Sequence, residues 1–252
     1  APCSCVPSRL FSSLVCATLK PATPHDAKRQ LIAATVFSAE RKCSGSWVSC
    51  ASDSSMVRTP SSYISTLDSA VAAYRRGELT QARASFMQLS AKGVPAADYN
   101  LAVMHLRREM PAASDAQALH LMTRAADAGF VTAMVGLAEL HELGRAGLKV
   151  DLMQSVLWSR RAAEAGSVDA QVAMGTAHYL GRGAPKDIAL AARWFRLAAQ
   201  AGDVGSMLLV ASLYESGEGV PLDLAEARYW YAAAARNGEP GADLKVKELD
   251  EK

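Results

Sequence analysis

The chain has 252 residues, half of them apolar, and a formal net charge of +2. That apolar content suffices for a globular or solenoid core, and the near-balanced charge argues against a nucleic-acid binder. No run of 18 apolar residues occurs in the sequence, so no integral membrane helix is expected.

Residues 1–62 read as a disordered basic leader. They hold thirteen serines, interrupted by Pro2, Pro7, Pro21, Pro24 and Pro60. Up to residue 60 there are seven Lys/Arg against three Asp/Glu. All five cysteines (Cys3, Cys5, Cys16, Cys43 and Cys50) fall here, with no CxxC and no histidine at finger-like spacing. The remainder is therefore expected to have neither a disulfide framework nor a zinc site. Arg9–Lys20 is basic, Ser-containing and amphipathic, as organelle transit peptides are; LIAATVFSA after Lys28 and Arg29 is a weak signal-peptide cue. A leader with no address is the third reading, and Met56 offers an alternative start. Arg outnumbers Lys 18 to 9, as in many GC-rich bacterial genomes. That favours a bacterial protein, cytoplasmic or exported to the periplasm, over organelle targeting by residues 1–40.

Order is expected from Tyr63. Leu67–Arg76 has a helical apolar stripe broken by Gly77, and Leu79–Lys92 follows as a second helix ended by Gly93. Residues 63–93 thus form a helix pair. Thereafter Gly93, Gly129, Gly166, Gly202 and Gly238 recur at spacings of 36, 37, 36 and 36. Ala125-Ala126, Ala162-Ala163, Ala198-Ala199 and Ala234-Ala235 precede the last four. Small residues at fixed helical positions let two helices approach closely, and the glycine supplies positive φ past a helix end. Each of these four glycines also follows a helix-capping residue by fifteen positions: Ser114, Asp151, Asp187 or Asp223. Such a side chain accepts an orphan N–H, worth about 1 kcal/mol. Helix B of each repeat therefore runs from cap to glycine. Eight residues before the glycine stand Leu121, Trp158, Trp194 and Trp230, read as packing between helices. Helix A of each repeat is expected over 97–107, 133–143, 170–180 and 206–216, with Ala102, Ala138, Gly175 and Ala211 as its small residues. Gly-rich turns GRAGLKV, GRGAPK and GEGVPL join A to B; the first repeat has RREMPAA, with Arg108 where glycine is expected, so its turn should differ in shape. Residues 241–252 read as a capping helix packing Leu244, Val246 or Leu249 on the last repeat.

This 36-residue helix–turn–helix period, with its A-A-x-x-G ending, its G-x-G turn and its capping Asp, resembles the Sel1-like repeat family, relatives of the 34-residue tetratricopeptide repeat. The resemblance covers residues 94–240 as four repeats, strongest over 170–239. It implies an all-α, right-handed α-solenoid. It also implies a non-catalytic scaffold, without cofactor, that binds a protein or peptide in the groove lined by the A helices. A family subset with Cys-rich repeats is associated with penicillin binding. No repeat here contains cysteine, which leaves a hydrolase or β-lactam-binding role as the alternative only.

His105, His141 and His178 recur in one slot, with Tyr214 next. Stacked helices lie about 8–10 Å apart, too far for repeat-related histidines to share an ion at about 2.0–2.1 Å. HELGR from His141 to Arg145 lacks the second histidine of a zinc protease. Arg160, Arg161, Arg193 and Arg196 read as solvated side chains or as cover for alanines. The expected groove-lining residues are those of helix A outside the repeat signature: Tyr99, Val103 and Leu106; Glu139 and Glu142; Thr176 and Tyr179; Ser212 and Glu215. A peptide with apolar and basic features would complement them.

Overall fold

The computed structural model describes residues 61–251. The readings of the basic leader, its targeting cues and its cysteines therefore lie outside the described residues. Among the described residues there are eleven α-helices and no strand. Helices α1 (Ser61–Arg75) and α2 (Leu79–Ala91) form a leading pair. Four repeats follow: α3 (Pro95–Leu106) with α4 (Asp115–Asp127), α5 (Val131–Leu143) with α6 (Leu152–Glu164), α7 (Val168–Leu180) with α8 (Ile188–Gln200), and α9 (Val204–Ser216) with α10 (Leu224–Arg236). Helix α11 (Ala242–Asp250) ends the stack. Each helix packs chiefly on the helix before it and the helix after it, which is the arrangement of an α-solenoid.

Helix α1 starts six residues before the expected Leu67. The serines there do not break it, because Thr66 Oγ1 donates to the Ser62 carbonyl and Ser69 Oγ to the Ser65 carbonyl, each at 2.9 Å. Those hydroxyls take a carbonyl one turn back instead of competing for the helix. The A helices begin two residues before their expected starts. Two caps account for two of these: Ser167 accepts from Ala170 N–H at 3.3 Å and Asp203 from Ser206 N–H at 2.7 Å.

The B helices start on Ser114, Asp151, Asp187 and Asp223. Their side chains accept from Gln117, Gln154, Leu190, and both Ala225 and Glu226, respectively. The far ends are explained by the Ala-Ala-x-x-Gly pattern. The glycine N–H reaches the second alanine carbonyl and the next residue's N–H reaches the first. Gly202 bonds to Ala199 and Asp203 to Ala198, both at 3.0 Å. This double bond closes the last turn and needs a left-handed residue between its two donors; Gly202 provides it, at φ 100°.

The second glycine of G-x-G has a different cause. A Cβ at Gly183 would lie 2.4 Å from the Leu152 carbonyl oxygen, and one at Gly219 would lie 2.7 Å from the Ile188 carbonyl carbon. Each turn thus sits backbone to backbone on the start of the preceding repeat's B helix, an approach that only glycine permits.

The first repeat's turn is indeed different. Arg108 stands in the glycine position at φ 59°, with its guanidinium on Asp115 at 3.0 Å. In the later repeats the capping residue's N–H donates to a backbone carbonyl, of His141, His178 or Tyr214. In the first, Ser114 N–H donates to the His105 ring at Nδ1, 3.2 Å away.

The core follows the small positions. Ala102 and Ala211 are wholly buried and Ala138 nearly so. Gly175 faces Phe195 so closely that a Cβ would fall 2.5 Å from the ring. The tryptophan slot is not uniform: Trp230 is buried, whereas Trp158 and Trp194 are half-buried against the core. The deeper position is the next residue along, occupied by Met122, Ser159, Phe195 and Tyr231, all buried. At the C-terminal end Ala242 and Leu249 are buried with Val246 partly so, while Leu244 points outward, 64% exposed. Of the three expected residues, Leu249 and Val246 pack on the last repeat and Leu244 does not.

Candidate functional site

The A helices present one series of equivalent positions from repeat to repeat. Helix α3 contributes almost nothing to the surface, since Ala96 to His105 are buried without a gap. Tyr99 and Val103 are therefore core residues and not surface ones, which corrects their assignment to the groove. Tyr99 lies against Phe130, with ring centroids 5.4 Å apart, and burial raises its phenol pKa. Leu106 is half-buried against the same core. The leading pair and the second repeat enclose α3 from both sides, so positions that are open in the middle of the stack are closed here.

From α5 onward the series opens. Glu139, Glu142, Thr176 and Ser212 are exposed, and Tyr179 is half-buried. Glu139 lies 3.8 Å from Arg145 and Glu142 lies 3.9 Å from Arg182. Both pairs are long and exposed, worth about 0–1 kcal/mol, so a partner's cation can displace either. Thr176 Oγ1 donates to the Val172 carbonyl at 2.9 Å and leaves its methyl to solvent. Between these polar positions lie apolar ones that the sequence reading did not select: Val135, Val172 and Leu208, half-buried at 37- and 36-residue spacing. Leu143 and Leu180, which end α5 and α7, are 46% and 54% exposed, and Leu209 of α9, at the position held by Gly136 and Ala173 in the preceding repeats, is 43% exposed.

Glu215 departs from the expected groove. It accepts from the Tyr231 hydroxyl at 3.0 Å and lies 3.5 Å from Lys245 Nζ of α11. The terminal helix thus engages the carboxylate that the first three repeats' series would leave open. Burial, then this carboxylate, pushes the Tyr231 phenol up to about 12. A similar tie closes the other end. The Tyr74 hydroxyl donates to Glu109 at 2.7 Å and accepts from Arg107 at 3.1 Å. Burial, then Glu109, raises Tyr74 to about 12. Arg124 chelates the buried Asp98 carboxylate at 2.5 and 2.6 Å and reaches Ser90 Oγ at 2.7 Å. These residues secure the leading pair to the first repeat.

The recurrent histidine slot is structural in its contacts. His105 and His178 are buried and His141 is half-buried. His178 Nδ1 lies 3.1 Å from the Pro185 carbonyl. Among the described residues no three His, Cys, Asp or Glu side chains converge as a metal site, and no helix is long and apolar enough to cross a membrane.

The sequence profile of the Sel1 repeat matches four successive stretches, residues 95–130, 131–167, 168–203 and 204–239. These coincide with the four helix pairs from α3 to α10 and cover more than half of the chain. The chain belongs to the Sel1 repeat family. Solved structures agree. A Sel1 repeat protein from Oxalobacter formigenes is 34% identical with a TM-score of 0.60, over 67% of this chain and 49% of that one. A protective antigen present in uropathogenic Escherichia coli strains, which displays an SLR fold, is 30% identical with a TM-score of 0.64, over 74% of this chain and 41% of that one. The Sel1 chain described here thus spans about half or less of the length of these two relatives. No curated protein matches it in sequence. Sel1 repeats generally form non-catalytic scaffolds that mediate protein–protein interaction, and the match gives no support to a hydrolase or β-lactam-binding role.

Proposed function

We propose that this Sel1 repeat protein is a scaffold that binds a protein or peptide partner along the open A-helix face of α5, α7 and α9. The observation that carries this reading is the mixed row on that face. Leu143, Leu180 and Leu209 are exposed beside Glu139, Glu142, Thr176 and Ser212. Leu143 and Leu180 hold the same position in adjacent repeats, 37 residues apart, and with Leu209 they place exposed apolar side chains on three successive A helices, which supports a binding role for this face. Carboxylates along its edge select for a partner with basic side chains beside apolar ones.

The test is affinity capture on the full chain, comparing wild type with a Glu139→Lys, Glu142→Lys, Leu180→Asp variant. These side chains are exposed, so circular dichroism and the melting temperature should stay near wild type. Proteins captured by wild type should be lost from the variant. An unchanged set of captured proteins would remove the A-helix face from consideration.

A further inference from the structure

The cleft between α8 and α9, capped by the turn that follows α9, carries chemistry that the repeat signature does not require. Its floor is apolar, formed by Val210, Leu213 and Val220, and Arg193, Arg196 and Tyr214 rim a cavity of about 130 Å³. A second, wider depression of about 380 Å³ adjoins it across Arg193 and Val220 and is lined by Leu190 and Pro221. Asp187 borders only the wider one, and its Oδ1 is taken up in capping α8.

The two arginines are the anomaly. Arg193 corresponds to His120, Leu157 and Tyr229 in the other repeats, and Arg196 to Thr123, Arg160 and Ala232. Only the third repeat has both. Elsewhere arginines such as Arg124, Arg161 and Arg182 lie beside a carboxylate. Arg193 and Arg196 have no ion-pair or hydrogen-bond partner among the described residues. Two guanidiniums three residues apart on one helix repel each other, and each offers a planar fork that matches a carboxylate. The smaller cavity has the size of one aliphatic side chain, and the wider one continues past Arg193 and does not end there. A ligand that fills both passes through the cleft and presents its negative charge between two apolar groups.

We propose that this cleft is a second docking site, occupied by an internal segment of a partner protein in which an acidic side chain stands between two aliphatic ones. It shares α9 with the A-helix face but is lined by Val210, Leu213 and Tyr214 where that face uses Leu209 and Ser212, so either site can fail alone.

The probe is the acetylated, amidated peptide Gly-Ser-Leu-Glu-Leu-Ser-Gly, titrated into the ¹⁵N-labelled full chain. The arginine Nε–H signals of Arg193 and Arg196 and the amide of Val220 should shift in a saturable manner. Replacing the peptide's Glu by Gln, or combining Arg193→Gln with Arg196→Gln in the protein, should weaken binding at least about tenfold. Added salt should weaken it too. The Glu139→Lys, Glu142→Lys, Leu180→Asp variant should bind the probe as wild type does, which separates this site from the A-helix face. Four results would each overturn the proposal: no shift at the two arginines, equal binding of the Gln peptide, unchanged binding by the double variant, or equal shifts with inorganic phosphate. Tighter binding of Gly-Ser-Leu-Leu with a free carboxylate would reassign the site to a chain terminus and overturn it as well.

Discussion

At the scale of single residues, Gly175 and Phe195 show how one repeat position trades volume with another. Gly175 occupies the slot where the other repeats place Ala102, Ala138 and Ala211. Its partner Phe195 is 3% exposed and fills the space that a methyl group would need. Two effects oppose each other in Gly175→Ala. Helix propensity favours alanine by about 1 kcal/mol. Overpacking costs about 1–3 kcal/mol, and a separation of 2.5 Å from a buried ring decides for the cost. Gly175→Ala should therefore lower the melting temperature. Phe195→Ala should cost about 3–5 kcal/mol through the cavity that it leaves. In that background Gly175→Ala should reverse sign and stabilise by about 1 kcal/mol. Chemical denaturation of the four proteins in this cycle measures the coupling, and additive effects would show that the ring moves aside freely. Trp194 was the more conspicuous residue in the sequence, but it is half-buried and its loss should cost less than that of its neighbour.

At the scale of the element, the turn from α3 to α4 is the one in which a titratable ring accepts the capping residue's N–H. His105 accepts from Ser114 N–H through Nδ1, and burial lowers its pKa below the usual histidine value. As pH falls, the unfolded chain is protonated first, at about 6.5. The stability that the neutral ring contributes is thus present above that value and is lost on further acidification. His105→Asn keeps an acceptor at a similar place and does not titrate. Wild type should lose more thermal stability than His105→Asn between pH 7.5 and 5.0, and parallel losses would assign the acid sensitivity to other groups. The same element marks the limit of what the sequence discloses. Arg108 in a glycine slot announced an altered turn, but the pattern had no means of naming a side-chain ring as the acceptor. The B helices, their caps and their terminal glycines were legible because each rests on contacts within one helix or its adjoining turn. The surface was less so. Periodicity treats Tyr99 and Glu139 as belonging to one helix type, yet burial depends on which neighbours enclose that helix. The leading pair covers α3, and α11 draws Glu215 into its own contacts. The order of the repeats within the stack, and not the repeat motif, determined which candidates reached solvent.

At the scale of the whole molecule, a stack in which each helix packs chiefly on its neighbours in sequence distributes its stability locally. The buried apolar side chains form two groups, one from Leu67 to Met174 and one from Ala191 to Leu249. The division falls inside the third repeat, between α7 and α8, where Trp194 packs on the first group and Tyr179 on the second. Helix α11 closes the second group through Leu249, Ala242 and Val246. It also brings surface ion pairs, Arg228 with Asp250 and Lys245 with Glu248 and the half-buried Glu215. Such pairs contribute about 0–1 kcal/mol each, whereas burying one leucine contributes about 1.5–3 kcal/mol. The apolar contact is therefore the larger part of what the cap supplies. Removing residues 242–252 should raise amide hydrogen exchange in α9 and α10 most and extend the rise back to α8. Protection in α3 to α6 should stay close to that of the intact chain, because the buried group that α11 closes has no member in them. Leu249→Ala should reproduce the pattern at smaller amplitude, and Asp250→Asn should scarcely change it. A uniform rise across all four repeats would mean that the stack opens as one cooperative unit and that the division between the two buried groups has no energetic consequence.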